Sequence, residues 1–144
     1  MPEKTFFMVK PDGVARGLAP EIFKRLQNTG LIIEESLDES LTIEEAAELY
    51  SPHLGKSFYD GLIRFITCGP VIVCVVSGDN AISRVRELMG ATDPLKAAPG
   101  TIRGDLKEKN VISEYGTIKN LVHGSDSIES AKREIAIFFK DARA

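Results

Sequence analysis

The sequence predicts an α+β fold in which helices cover one antiparallel sheet of four strands. Three observations lead to this prediction. Short apolar runs rich in β-branched and aromatic residues are spread along the chain. Stretches with apolar residues at helical spacing separate these runs. Neither a repeat nor a linker divides the 144 residues, so we expect a single domain over residues 1–144.

Four apolar runs are the predicted strands. Residues 5–9 end at the turn KPDG, and residues 31–36 follow a glycine. Residues 70–76 are almost continuously apolar, which is typical of a central strand. The run EIAIFF, at residues 134–139, is predicted as the last strand.

Local patterns predict the helices. A helix after Pro20 carries regularly spaced apolar residues and ends before Gly30. Thr42 begins a capping box, T-x-x-E, ahead of a second helix. Further helices are predicted at residues 57–67, after Asp79 or Asn80, and in the segment SIESAKRE.

The order of these elements is close to the split βαβ, or ferredoxin-like, sandwich, in which helices pack on a four-stranded antiparallel sheet. Residues 91–119 are rich in glycine, proline and charge and are predicted as one long irregular loop. A loop of that length in a compact domain is usually functional, so we expect it to contribute to a site.

Charge and hydropathy limit the function classes. The net charge is −3 and hydrophobic residues make up 43% of the chain, so no overall field attracts polyanions. The longest apolar run is too short to cross a bilayer. We therefore expect no membrane association and no stable nucleic-acid binding. Any phosphate must be bound by a few well-placed cations.

The two cysteines, Cys68 and Cys74, are predicted as buried structural thiols, because Cys74 lies inside an apolar run. The first residues, MPEKTFF, carry neither the apolar core of a signal peptide nor a transit pattern. Together these features predict a reducing, cytoplasmic compartment.

His123 lies in the polar segment NLVHGSDS, a setting in which a histidine seldom serves only to fill space. At pH 7 a neutral imidazole offers a free lone pair. A metal site is disfavoured because His53 is the only other histidine, and a serine-hydrolase motif is absent. Two interpretations stay open: a nucleophile whose second ring nitrogen is held by a partner, or a polar residue at a helix start.

Three cations are candidates for binding phosphate. Lys10 ends the first strand, Arg86 lies beside the apolar stripe of a helix, and Arg103 lies in the long loop. Arginine matches phosphate oxygens in pairs, although each of these cations alone is more often a solvated surface charge. The motifs of P-loop nucleotide hydrolases and of protein kinases are absent.

Five segments form an ordered set that runs almost from end to end of the chain. They are TFFMVKPDGVARGL at 5–18, FYDGLIRFITCGPVIV at 58–73, GATDP at 90–94, PGTIRGD at 99–105, and NLVHGSDSIESAKREI at 120–135. HGSD alone would be a weak signal. The ordered set resembles the nucleoside diphosphate kinase family.

This resemblance implies reversible transfer of a γ-phosphoryl group from a nucleoside triphosphate to a nucleoside diphosphate. The implied cycle is ping-pong, through a phosphohistidine at His123. By the same match Glu134 bonds the far ring nitrogen of that histidine, and Ser125 bonds Glu134. Tyr50 matches a position near the histidine, and Lys10 one that contacts the transferred group.

The resemblance also implies how a nucleotide is held, with Mg²⁺ arriving on its phosphates rather than in a metal site of the protein. An aromatic platform for the base implies broad base specificity, since every base has a π-face. The matching residues are Arg86, Thr92 and Arg103 for the phosphates, Lys10 and Asn120 for the sugar hydroxyls, and Phe58 for the base.

A second interpretation stays open, namely a non-catalytic nucleotide-binding protein of the same fold with a regulatory or interaction role. It is suggested by the segment 106–119, which is longer than the family's usual connection, and by a short C-terminal tail. The complete set of matching residues favours the enzyme. The resemblance further implies a homo-oligomer, with a hexamer favoured and a tetramer possible.

Overall fold

An antiparallel sheet of four strands organises the protein. The computed structural model describes residues 2–139. Its strands are β1 (Glu3–Val9), β2 (Ile32–Glu39), β3 (Val71–Gly78) and β4 (Val122–Gly124), in the spatial order β2-β3-β1-β4. Every neighbouring pair is antiparallel. The predicted fold class is confirmed.

Helices and short 3₁₀ turns connect and cover these strands. The 3₁₀ turns are Ser51–His53 and Pro94–Lys96. The helices in residues 2–139 are α1 (Pro11–Ala15), α2 (Ala19–Asn28), α3 (Ile43–Leu49), α4 (Tyr59–Ile66), α5 (Ala81–Met89), α6 (Ile102–Leu106) and α7 (Ile128–Phe138). None of these helices is long and apolar enough to cross a membrane.

The sheet separates two apolar cores, because side chains alternate between its faces along each strand. Phe6 and Met8 of β1 pack with residues of α3, α4 and α7 on one face. Phe7 and Val9 pack with residues of α2, α5 and α6 on the other. Both faces of the central strands β1 and β3 are therefore covered, which explains the continuous apolar run in β3.

The predicted last strand at residues 134–139 is wrong. Residues 134–138 continue α7, which begins after Ser127, whose hydroxyl accepts the N–H of Ser130. Ala131 and Ile135, four residues apart, are buried on one helix face. A short apolar run does not distinguish a strand from a buried helix end, and here the helical spacing prevails. The fourth strand is the three-residue β4 instead.

The long loop predicted at residues 91–119 is more ordered than expected. It contains α6, whose N-terminus is capped by the hydroxyl of Thr101 accepting the N–H of Gly104 at 3.0 Å. It also contains a small hairpin with a bridge between Ile112 and Ile118. The predicted KPDG turn likewise forms a short helix, α1. Helices of five residues carry too little periodicity for a sequence pattern to reveal them.

The remaining local predictions are partly confirmed and partly wrong. The capping box at Thr42 and Glu45 is confirmed in both directions, at 3.0 Å each. Cys74 is buried as predicted, but Cys68 is exposed just after α4, so that half of the prediction is wrong. Cys68 follows the last turn of an amphipathic helix, and its position beyond the helix end takes it out of the core.

The N-terminus of α5 is capped from another element. Asn80 has a left-handed backbone, with φ of 54°, and its side chain makes no cap hydrogen bond. The carboxylate of Glu3 accepts the N–H of Ile82 at 2.8 Å instead. This bond joins the start of β1 to the helix that carries Arg86.

We expect Glu3→Ala to lower the free energy of unfolding by about 1 kcal/mol, the usual effect of removing a helix cap. Urea denaturation measures this change. Glu3→Gln keeps a carbonyl oxygen as acceptor and should retain most of the stability. If both variants lost the same amount, the charge at the helix terminus rather than the hydrogen bond would be responsible.

Candidate active site

A cavity of about 750 Å³ opens beside β4 and collects nearly all the predicted site residues. It receives side chains from α3, α4, α5, α6, β4 and α7 and from the loops between them. Ser125 alone of the predicted residues does not line it. The lining includes Lys10, Tyr50, Phe58, Arg86, Thr92, Arg103, Asn120, His123 and Glu134.

His123 lies on β4, with about one fifth of its side chain exposed to the cavity. Its Nε2 is 2.7 Å from Oε1 of Glu134, which is buried on α7. The hydroxyl of Ser125 donates to the same carboxylate oxygen at 2.9 Å. A carboxylate accepts only, so Nε2 carries the proton, and Nδ1 of the neutral imidazole keeps its lone pair.

Aromatic rings enclose this imidazole. The ring of Tyr50 meets it edge-on, with centroids 5.7 Å apart, and that of Phe6 lies 5.9 Å away. The Tyr50 hydroxyl is buried and has no hydrogen-bond partner within residues 2–139. Burial, followed by the nearby charge of Glu134, raises the pKa of Tyr50. The phenol therefore stays protonated and has a free donor beside the cavity.

Lys10 and Asn120 form a buried polar pair in the cavity wall. Nζ of Lys10 donates to Oδ1 of Asn120 at 2.9 Å, and Nδ2 of Asn120 donates to the carbonyl of Thr92 at 3.0 Å. Burial lowers the pKa of Lys10 to about 8, with Arg103 lowering it further and Asp12 opposing the shift. Burial disfavours the ammonium, so an arriving anion would stabilise its charge.

Arg103 is committed mainly to the backbone. Its Nε, Nη1 and Nη2 donate to the carbonyls of Asn120, Gly90 and Val122, at 3.0, 3.0 and 2.7 Å. Only 6% of the residue is exposed, and burial and then Arg86 lower its pKa to about 10. Of five guanidinium N–H groups, three therefore hold the segments around β4, which the sequence did not predict.

The other predicted nucleotide-binding residues lie at the rim. Arg86, Thr92 and Phe58 are exposed, and Phe58 has 45% of its surface open. Gly124 brings α5 close to β4, because a Cβ there would lie 3.1 Å from both Met89 and Val85 side chains. The glycine therefore serves helix packing.

Sequence reasoning missed three residues around the site. Asp12 is buried, and its carboxylate accepts the N–H of Leu121 at 3.0 Å, where the backbone takes a left-handed φ of 73°. Arg133 donates to the carbonyls of Glu48 and Leu49 and so ties α7 to α3. No local pattern marks either side chain, since their partners are distant in sequence.

His53 is the third missed residue. No pattern in its local sequence marks it, but it is half-buried and lines the cavity. Its ring centroid is 5.3 Å from that of Phe58 and 6.1 Å from that of Tyr50. Burial, and then the neighbouring charge of Lys56, lower the pKa of His53, which favours the neutral ring.

The fold and the cavity define a class of protein. An imidazole with a free lone pair, fixed by a buried carboxylate and facing several cations, suits transfer of a phosphoryl group. Residues 2–139 contain no group of three or more His, Cys, Asp or Glu side chains placed to hold a metal ion. The arrangement is that of a phosphotransferase with a histidine nucleophile.

Comparisons with known proteins identify the family. Residues 3–144 match the family model described as nucleoside diphosphate kinase. The chain is 50% identical over 137 residues to the nucleoside diphosphate kinase of Listeria monocytogenes serotype 4a (strain HCC23), covering 95% of this chain and 88% of that one. It is 49% identical over 138 residues to that of Streptococcus pneumoniae (strain P1031), covering 95% and 99%.

Solved structures agree with the sequence matches. A halophilic nucleoside diphosphate kinase from Halobacterium salinarum, in complex with CDP, superposes with a TM-score of 0.88 at 47% identity, over 99% of this chain and 90% of that one. The enzyme from Borrelia burgdorferi, a transition-state mimic with vanadate and ADP, gives 0.90 at 36% identity, over 98% and 89%. The chain belongs to the nucleoside diphosphate kinase family, and it is a phosphotransferase that acts on nucleotides.

The buried Lys10 makes stability depend on pH. Its pKa is 10.5 in the unfolded chain and about 8 in the fold. Between these values the unfolded state binds more protons, so the free energy of unfolding should rise with pH, by up to about 3 kcal/mol. Below pH 8 Lys10 is protonated in both the folded and the unfolded state. The free energy of unfolding then stays lowered by the cost of burying the charge.

Urea denaturation of the protein and of Lys10→Met across this pH range measures the effect. The variant should lack this rise in the free energy of unfolding. If the two curves ran parallel, Lys10 would not titrate as its burial requires.

Proposed function

We propose that Nδ1 of His123 accepts the γ-phosphoryl group of a nucleoside triphosphate and passes it to a nucleoside diphosphate. The observation that carries this proposal is the 2.7 Å bond between Nε2 of His123 and the buried Glu134. That bond places the proton on Nε2 and leaves Nδ1 as the nucleophile. The bound carboxylate then offsets the positive charge that the ring acquires as it attacks.

In the first half-reaction the Nδ1 lone pair forms a bond to the γ-phosphorus. The bond from that phosphorus to the β,γ-bridging oxygen breaks, and the nucleoside diphosphate leaves with the electron pair. In the second half-reaction a terminal β-phosphate oxygen of another diphosphate attacks the phosphohistidine. The N–P bond breaks and the imidazole recovers its lone pair, so one site serves both nucleotides in turn.

The cations and hydroxyls of the cavity suit the phosphate chain. We assign Arg86 and Thr92, at the open rim, to the phosphates, where charge-assisted hydrogen bonds are strong. We assign Lys10 to the transferred group, whose negative charge would offset the free-energy cost of burying the Lys10 ammonium. The CDP complex of the Halobacterium enzyme and the ADP–vanadate complex of the Borrelia enzyme, both of the same fold, support a nucleotide in this cavity.

Arg103 has a double assignment. Three of its donors hold the backbone around β4, and two N–H groups remain for a phosphate oxygen. Tyr50 has a free phenolic donor beside the histidine. Asn120 is already oriented by Lys10 and Thr92, and we assign it to the sugar hydroxyls.

Phe58 is the proposed platform for the base. Its ring is nearly half exposed at the cavity rim, where stacking is available to any base. Such a contact reads no base edge, so we propose broad specificity for the nucleoside.

Enzymes of this family generally need a divalent cation, and we propose Mg²⁺. Glu134 is occupied by His123 and Ser125, and the other carboxylate of the cavity, Asp126, is exposed. This donor set suits an ion held mainly by nucleotide phosphates and water, with Asp126 within the cavity lining. When bound, Mg²⁺ neutralises charge on the phosphates.

We further propose that residues 1–144 form one domain, that the chain assembles as a homo-oligomer with a hexamer favoured over a tetramer, and that it acts in the cytoplasm. The single sheet shared by both cores supports the first point. The exposed free thiol of Cys68 fits a reducing compartment. The solution mass distinguishes the two assemblies.

Labelling with γ-labelled ATP and Mg²⁺ tests the proposed nucleophile. We expect label on the protein that survives alkali and is lost in acid, as for a phosphoramidate bond. His123→Ala should take up no label, because the only other histidine, His53, occupies a different position. His53→Ala is the matched control and should still be labelled. Equal labelling of the wild type and His123→Ala would contradict the proposal.

Glu134→Ala should slow phosphoryl transfer by about a hundredfold while leaving ADP affinity nearly unchanged, because the lost charge acts on the transition state. Stopped-flow kinetics and calorimetry separate the two quantities. Glu134→Gln keeps an acceptor for Nε2–H without the charge. Its rate of phosphoryl transfer should lie between those of the wild type and Glu134→Ala. Loss of ADP binding with unchanged turnover per bound nucleotide would show that Glu134 has another role.

A further inference from the structure

Residues 111–119 form a small β-hairpin (the hairpin). Two backbone hydrogen bonds close it. The N–H of Ser113 donates to the carbonyl of Thr117 at 2.7 Å, and that of Lys119 donates to the carbonyl of Val111 at 2.6 Å. The segment that looked irregular in sequence is therefore a defined structural element.

Side chains stiffen the hairpin from within. The hydroxyl of Ser113 accepts the N–H groups of Tyr115 and Thr117, at 3.2 Å each, and lies 2.9 Å from the Thr117 hydroxyl. At its base, Lys119 forms an ion pair with Glu108 at 3.2 Å. A wall that is ordered before a ligand arrives loses little conformational entropy on binding.

The hairpin and α4 border the same cavity. Gly116, Thr117 and Ile118 of the hairpin line it, together with Phe58 at the N-cap of α4 and Leu62 within that helix. A base stacked on the exposed ring of Phe58 would therefore meet the hairpin as a neighbouring wall.

Gly61 is the point at which the hairpin rests on α4. A Cβ at Gly61 would lie 2.5 Å from the carbonyl oxygen of Tyr115 and 3.0 Å from the methyl group of Thr117. The first distance is shorter than any real contact, so a side chain here forces the hairpin away. Glycine is among the poorest residues in a helix interior, and this close approach gives the physical reason for it.

We propose that Gly61 is a positioning residue for the nucleoside base. Its bare backbone lets the hairpin rest directly on α4 and so fixes the hairpin beside Phe58, without touching the nucleotide itself. The inference rests on the proposed function, because it requires the base to stack on Phe58. It adds a residue and an element that act on the base and leave the chemistry at His123 unchanged.

Gly61→Ala tests the inference. The added methyl group should displace the hairpin, raise KM for nucleoside diphosphates about five- to tenfold and change kcat little, the scale of a weakened stacking contact. Gly69→Ala is the matched control. Its Cβ would lie 3.7 Å from Pro11, an ordinary contact, so its kinetics should equal those of the wild type.

A phosphoryl donor without a base or a sugar separates binding from chemistry. With phosphoramidate, Nδ1 of His123 forms the bond to phosphorus, the P–N bond of the reagent breaks, and ammonia leaves. Gly61→Ala should be labelled by this donor at the wild-type rate. An equal loss with phosphoramidate and nucleotides would overturn the inference, because the hairpin would then support the catalytic strand.

Ile118→Ala provides the second variant, should Gly61→Ala fold poorly. It removes a cavity-lining side chain of the hairpin without a clash and should also raise the nucleotide KM alone. Unchanged KM values in both variants would overturn the inference. If the proposed function itself fails, the wild type takes no label from either donor, which overturns both proposals in a recognisably different way.

Discussion

The site depends on one buried hydrogen bond, between Nε2 of His123 and Oε1 of Glu134. A buried carboxylate is costly unless it is hydrogen-bonded, and here the imidazole and the hydroxyl of Ser125 both donate to it. The bond joins the edge strand β4 to helix α7, so it requires that both be fixed against β1. It also selects which ring nitrogen keeps its lone pair, and so which nitrogen attacks in the function that we propose.

A strand of three residues at the sheet edge cannot hold such a bond alone. Arg103 fixes its surroundings through the carbonyls of Asn120 and Val122, and Asp12 fixes the strained backbone of Leu121. These are buried charged groups whose desolvation is compensated by the backbone groups that they bind. Arg103 and Asp12 thus position β4, and the same burial that orders the strand brings the basic groups of Arg103 and Lys10 together.

Local signals predicted a large part of this protein. The capping box at Thr42 and the central strand β3 follow from patterns among near neighbours in the chain. The wrong predictions concern segments whose conformation is set by contacts between residues far apart in sequence. Residues 134–138 are helical, with Glu134 bonded to His123 on β4 and Ile135 in the core, whereas the short apolar run alone suggests a strand. The hairpin at 111–119 escaped prediction because its bonds and its support at Gly61 come from the fold.

From the order of its residues the chain specifies its family, its fold class and nearly all the side chains that gather at the cavity. These follow from ordered motifs and from the periods of apolar residues, which are properties of the chain itself. Three further features exist only in the folded structure. They are the free ring nitrogen of His123, the hydrogen bonds from Arg103 to backbone carbonyls, and the close approach of the hairpin to Gly61. Each of these depends on distances between residues far apart in sequence, and only packing sets such distances.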